Sequence, residues 1–111
     1  MNREKLDHLQ CIRALRPDNR RTFMETCSDN CIDSICEFCY NLIQENLPLT
    51  RKTRYRIKTI NPIRFKLSKL ADPKVSPLEK RKLLQEKQVG DGIFPLIASI
   101  VPTLISLLAS K

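Results

Sequence analysis

The sequence of 111 residues contains no tryptophan and only two glycines, Gly90 and Gly92, and aromatic residues make up 5% of it. An all-β sandwich or barrel needs many turn residues and strands rich in aromatic side chains, so these shortages disfavour that class. A chain of this length forms one domain with a small core. We therefore predict an all-α protein, a small bundle of about four to five short helices followed by an apolar helical tail.

The motifs of common enzyme classes are also missing. The chain has no glycine-rich phosphate loop, no H-E-x-x-H zinc motif and no G-x-S-x-G nucleophile turn. His8 is the only histidine, and no serine or cysteine is tied to it by a known catalytic spacing. We predict a protein that is not an enzyme, with no catalytic residue and no cofactor.

The five cysteines, an odd number, argue against a fully paired disulfide scaffold. Because the first residues lack the apolar run of a signal peptide, we expect a reducing compartment, the cytosol or nucleus. Cys27, Cys31, Cys36 and Cys39 follow a C-x3-C-x4-C-x2-C spacing, which raises the possibility of zinc. Structural zinc prefers two short ligand pairs with a longer spacer, whereas these cysteines follow one helical pattern. We predict that they fill the core rather than bind metal, with a zinc-stabilised adaptor as an alternative.

Apolar spacing, prolines and capping residues locate the helices. A first helix is predicted over about residues 3–15, and Asp18 is predicted to cap a short second helix. The third begins at Ser28 or Asp29, and its apolar residues recur at steps of three and four: Ile32, Ile35, Cys36, Cys39, Leu42 and Ile43. The run Ser76-Pro77-Leu78-Glu79 is a capping box and predicts a helix that ends near Gln88.

Positive charge is concentrated in the middle of the chain. The formal net charge is +8, yet residues 46–82 alone carry twelve basic and two acidic residues, a net +10. Such a segment attracts polyanions. We expect the apolar residues interleaved with it, including Tyr55 and Phe65, to pack inward. We predict that it binds nucleic acid without sequence preference and that double-stranded DNA is the ligand. The predicted binding residues are Arg51, Lys52, Arg54, Arg56, Lys58, Arg64, Lys66, Lys69, Lys80, Arg81 and Lys82. RNA, anionic lipid and a merely solvated surface are the alternatives.

The end of the chain differs from the rest. Residues 92–110 contain no charged side chain, and this length is close to the roughly 20 residues that cross a bilayer. We divide the chain into a helical body at 1–88 with a basic segment at 50–82, a glycine break at 89–92 and a hydrophobic C-terminal tail at 93–111. Pro95 and Pro102 argue against a stable span, because each removes a backbone donor.

A helical projection of the tail places hydroxyl side chains on one side and large apolar ones on the other, as in an interfacial helix. We predict that the tail is membrane-active or docks on a capsid protein, and that the apolar side contacts the membrane through Ile93, Phe94, Leu96, Ile97, Val101, Leu104, Ile105 and Leu108. Three alternatives stay open. The tail is a membrane anchor whose neighbouring basic segment touches anionic lipid headgroups, a last helix packed on the body, or a segment for self-association.

Two groups of short motifs point to a family. Ile35-Cys36-Glu37, Asn41-Leu42 and the run from Asn46 to Thr50 resemble short proteins encoded by Polinton/Maverick DNA transposons and the related adintoviruses. So does the segment from Leu78 to Gln88, with the glycines and apolar residues that follow it. The resemblance covers most of residues 9–111.

The tail itself is similar to the end of the adenovirus precursor of the small core protein mu, in which basic residues precede Gly-Gly-Ile-Leu-Pro-Leu. The matching residues here are Gly92-Ile93-Phe94-Pro95-Leu96. The resemblance implies a DNA-associated virion core or minor capsid protein, present in the virion and, during assembly, in the host nucleus or cytoplasm. It also implies a cleavage between Asp91 and Gly92, although Gln88 replaces the aliphatic residue that the family's protease prefers. The dense arginine tract of mu is missing, so strong DNA condensation is not implied.

Overall fold

The structure, a computed structural model, describes residues 2–44, 46–47, 49–59 and 61–109, and describes the backbone alone at residues 17, 56, 59, 61–63, 87–92 and 108–109. Within these residues the chain forms seven helices and no strand: α1 (Arg3–Arg13), α2 (Pro17–Thr26), α3 (Asp29–Ile43), α4 (Arg51–Thr59), α5 (Asn61–Ala71), α6 (Pro77–Gln85) and α7 (Lys87–Ala109). The all-α prediction is confirmed. The predicted count of about four to five helices before the tail is not confirmed, since six of the described helices precede α7.

Two of the predicted helix starts are confirmed in detail. The Ser28 side chain accepts a hydrogen bond from the backbone N–H of Cys31 at 3.2 Å and begins α3. Ser76 accepts one from the N–H of Glu79 at 3.2 Å, and α6 follows with Pro77 at its first position. Each bond satisfies one of the backbone donors that a helix leaves unpaired at its first turn.

The predicted start of α2 is wrong. Pro17 occupies the first helical position, so the N-cap residue is Arg16, which makes no side-chain capping bond. Asp18 lies inside the first turn instead, where its negative charge faces the positive end of the helix dipole. Proline is tolerated at this place because its missing N–H would be unpaired there in any case.

Helix α3 lies at the centre of the molecule and packs against α1, α5 and α6. The predicted stripe is confirmed at Ile32, Ile35, Cys39 and Leu42, which are almost completely buried. Phe38, which the stripe did not include, is also fully buried. The apolar side of α3 is therefore broader than one seam of contacts requires.

The separate apolar tail is not confirmed, because α7 packs against α1 and α6 as part of the same core. Its buried side chains are Ile93, Phe94, Ile97, Ile100 and Val101. Helix α7 begins at Lys87, so residues 89–92, predicted as a glycine break, lie within its bounds. Pro95 is on the exposed side of α7, where the carbonyl left unbonded by its missing N–H can meet water.

No helix in the described part of the chain combines the length and the hydropathy needed to cross a membrane.

Candidate nucleic-acid interface

Helix α4 carries the densest positive charge. Its sequence RKTRYRIKT has no acidic residue, and Arg51, Lys52, Arg54 and Lys58 are exposed. Thr50 precedes the helix and its hydroxyl oxygen accepts from the N–H of Thr53 at 3.2 Å. The side chain of Ile57 is buried and attaches α4 to the core. The side chain of Arg56 lies outside the described residues.

Arg54 and Lys58 also line an open groove of about 200 Å³ together with Leu42, Ile43, Leu49 and Ile57. Long basic side chains commonly lay their methylene stems along apolar surface and keep the charged group in water. The groove therefore supports the stems of two predicted site residues.

Helix α5 packs against α4 and adds the exposed Arg64 and Lys69. The ammonium of Lys69 lies 5.2 Å from the centre of the Phe65 ring, a distance at which a cation is attracted to the ring face. Phe65 and Tyr55 are 62% and 67% exposed, so the expectation that they pack inward is wrong. The four-residue spacing of Phe65 and Lys69 on a helix was the sequence signal for this contact.

Lys66 is engaged elsewhere. Its Nζ lies 3.0 Å from Oε2 of Glu86, the residue that caps α6. The structure thus places one of the predicted site residues in an ion pair that ties α5 to the end of α6.

Arg81 is likewise engaged. Its Nη1 donates to the backbone oxygen of Met24 at 3.1 Å, and its Nη2 pairs with Oδ1 of Asp29 at 2.8 Å. Its side chain is only 17% exposed, and the hydrogen bond to Asp29 raises the pKa of Arg81. Arg81 therefore holds α6 against the junction of α2 and α3, whereas its neighbour Lys82 is exposed and Lys80 is partly buried.

We call the exposed cations of α4 and α5 the basic surface: Arg51, Lys52, Arg54, Lys58, Arg64 and Lys69. The structure brings these six predicted residues together on two neighbouring helices and assigns Lys66 and Arg81 to contacts within the fold. Lys74, exposed in the turn after α5, contributed to the charge count but was not among the predicted residues.

The cysteines do not converge on a metal site. No group of three or more histidine, cysteine, aspartate or glutamate side chains in the described residues could hold an ion, and all five cysteines are free. Cys39 is fully buried. Burial raises the pKa of its thiol and raises the pKa of Cys36 to about 11. The core-filling prediction is thus confirmed for Cys39.

His8 joins α1 to α3. Its Nδ1 lies 2.7 Å from Oγ of Ser34, and that hydroxyl donates to the backbone oxygen of Asn30 at 3.0 Å. Ser34 is fully buried and cannot meet a substrate from solvent. The adjacent pair of Lys5 with Glu37 links the same two helices, and this hydrogen bond raises the pKa of Lys5.

The side chains predicted to contact a membrane fall into three groups. Ile93, Phe94, Ile97 and Val101 lie in the core, whereas Leu96, Leu104 and Ile105 are partly buried against it. The side chain of Leu108 lies outside the described residues, as does that of Asp91 at the predicted cleavage site. Comparison of the chain with protein-family models, curated proteins and solved structures found no match.

Proposed function

We propose that the protein binds nucleic acid through the basic surface and without sequence preference, and that double-stranded DNA is the ligand. The observation that carries this proposal is the exposure of four cations on α4, a helix whose own sequence contains no acidic residue. Lysine and arginine at such positions bind the phosphate backbone and release condensed counterions. Contacts of this kind position a protein on DNA but read no bases.

The spacing on α4 fits a row of phosphates. Arg51, Arg54 and Lys58 are three and four residues apart, so they lie along one side of the helix. At 1.5 Å per residue, the first and last are separated by about 10 Å along the axis. A duplex strand carries one phosphate per roughly 3.4 Å of axis, so several phosphates lie within reach of these side chains.

The biological setting that we propose is a virion, in which the chain acts as a core or minor capsid protein. Its support is the resemblance of short motifs across most of residues 9–111 to proteins of Polinton/Maverick elements and adintoviruses. In that role, membrane or capsid contact through α7 requires that its apolar side leave α1. Cleavage between Asp91 and Gly92 would sever most of α7 from the body and so favour its release.

The experiment is a salt series of duplex binding by the full chain, with two duplexes of unrelated sequence. The test variant replaces Arg51, Lys52, Arg54 and Lys58 by glutamine. The matched control replaces four exposed arginines of α1, α2 and their junction by glutamine and so removes the same charge. These residues are Arg3, Arg13, Arg16 and Arg21. Circular dichroism establishes that both variants are folded.

We expect log K to fall linearly with log salt concentration for both duplexes. The slope should lessen by about 3 to 4 in the test variant and by much less in the control, since each phosphate contact contributes about 0.9. Absence of binding at low salt, binding of only one duplex, or equal losses in the two variants would refute the proposal.

A further inference from the structure

The junction of α2 and α3 places two thiols side by side. Cys27 ends α2 with an extended backbone, at φ −65° and ψ 161°, and its N–H donates to the carbonyl of Phe23. Ser28 then caps α3 and Cys31 lies in its first turn. Cys31 is 5% exposed, whereas Cys27 is only partly buried. Burial and, after it, the neighbouring thiol of Cys27 raise the pKa of Cys31.

A guanidinium is fixed beside the more accessible sulfur. Nη1 of Arg81 lies 3.6 Å from Sγ of Cys27. The same group is held by Asp29 at 2.8 Å and by the backbone oxygen of Met24 at 3.1 Å. Its position is therefore set by the fold and not by the thiol alone. Arg81 therefore places a fixed positive charge beside the Cys27 sulfur.

The remaining cysteines have other surroundings. Cys36 and Cys39 lie within α3, Cys39 is sealed in the core, and burial raises the pKa of both thiols. Cys31 resembles them in one respect, because burial raises its pKa to about 12. It differs in that its neighbouring cysteine, Cys27, lies 3.6 Å from the guanidinium of Arg81. Cys11 is exposed on α1, and its charge acts on Cys31, so Cys11 is the competing partner.

We propose that Cys27 and Cys31 form a thiol pair that hydrogen peroxide oxidises to a disulfide, with Arg81 as a positioning residue. The Cys27 thiolate attacks one peroxide oxygen, the O–O bond breaks, and hydroxide leaves and takes up a proton to form water. Cys27 is then a sulfenic acid. The sulfur of Cys31 attacks that of Cys27, the S–O bond breaks, and the Cys31 proton leaves with hydroxide as a second water. Two thiols are oxidised and one peroxide is reduced.

The disulfide can be mapped because aspartates separate the cysteines along the chain. Digestion before aspartate divides the chain so that Cys11, Cys27 and Cys31 fall in the fragments 7–17, 18–28 and 29–32, and both Cys36 and Cys39 fall in 33–71. The full reduced chain is treated with equimolar hydrogen peroxide, alkylated and digested, and the masses of the fragments are measured by mass spectrometry. A parallel sample is oxidised in urea.

We expect fragments 18–28 and 29–32 to appear joined, with the loss of two hydrogen atoms, while 33–71 remains fully alkylated. The folded chain should form this product at least about tenfold faster than the chain in urea. A main product that contains fragment 7–17, earlier oxidation within 33–71, or equal rates with and without urea would overturn the proposal.

Variants separate the roles of the three residues. Cys31→Ser should stop at a sulfenic acid on Cys27 that dimedone traps, whereas Cys27→Ser should yield no trapped sulfenic acid on Cys31. Arg81→Gln should slow oxidation about tenfold, and Arg81→Lys should recover most of the rate because it retains the charge. Lys82→Gln removes the same charge one residue away and should leave the rate unchanged. Failure of Arg81→Lys to recover the rate in a folded chain would assign Arg81 a purely structural role.

Discussion

The guanidinium carbon of Arg20 lies 4.7 Å from the centre of the Phe94 ring, which joins α2 to the apolar helix α7. Cation–π contacts at this distance contribute about 0.5–1 kcal/mol or more when the cation is desolvated. Phe94 itself is 2% exposed. The contact therefore fixes an aromatic residue of the C-terminal segment within the folded body, between a charged side chain on one side and the core on the other.

His8 and Ser34 provide the first prediction. Ser34→Ala removes a buried hydroxyl and leaves Nδ1 of His8 without its hydrogen-bond partner, so it should lower the free energy of unfolding by about 1–3 kcal/mol. Ser68→Ala is the matched control, because Ser68 also donates to the carbonyl four residues earlier at 3.0 Å but is exposed. We expect its effect to stay within about 0.5 kcal/mol. Urea unfolding at neutral pH measures both, and equal effects would contradict the buried bond.

Lys66 and Lys69 provide the second prediction, since the sequence assigned both to DNA and the structure separates them. Lys69→Gln removes an exposed cation of the basic surface and should lessen the salt slope of duplex binding by about 0.9. Lys66→Gln removes a cation already paired with Glu86 at 3.0 Å and should change the slope much less. The same salt titration measures both, and a larger change for Lys66 would show that its ion pair opens on DNA.

Much of the fold could be predicted from local sequence patterns. The start and stripe of α3 and the start of α6 at Ser76 depend on residues three and four positions apart, and both are confirmed. Phe38 was missed because α3 is covered by α1, α5 and α6 on several sides. Its position three residues after Ile35 and four before Leu42 follows the same steps, and Phe38 widens the apolar side of α3. Apolar residues at steps of three and four identify the side of a helix that contacts one neighbour. They do not show how wide the buried surface is when three helices pack against it.

The candidate site was harder to predict from the sequence. The density of basic residues identifies a segment, but it does not show which side chains face solvent and which pair within the fold. Arg81 meets Asp29 across 52 positions of sequence, and Lys66 meets Glu86 across 20. Tertiary pairs of this kind leave no local periodicity. The apolar segment posed the same difficulty, since packing on a protein body and contact with lipid require the same pattern of apolar residues on one side.

Helix α7 provides the third prediction. Ile97 is fully buried, so Ile97→Ala should lower the free energy of unfolding by about 2–5 kcal/mol. Leu107→Ala alters a side chain of the same helix that is 49% exposed and should cost less than about 1 kcal/mol. Chemical denaturation followed by circular dichroism measures both. If neither change lowers stability, α7 is detached from the body in solution and its apolar side is free for a membrane or a capsid protein.

Cys39 provides the last prediction, the response to alkaline pH. Burial raises the pKa of its thiol above the ordinary value of 9.0, so above pH 9 the unfolded chain releases this proton while the folded chain keeps it. The unfolded state then binds fewer protons, and the free energy of unfolding should fall by about 1.4 kcal/mol per pH unit from this one thiol. Below pH 9 the contribution is complete and constant. Cys39→Ala should therefore flatten the decline above pH 9 by that amount relative to the original chain, in urea titrations under a reductant. Parallel declines in the two proteins would mean that the Cys39 thiol ionises as readily in the fold as in the unfolded chain, and would contradict its place in the core.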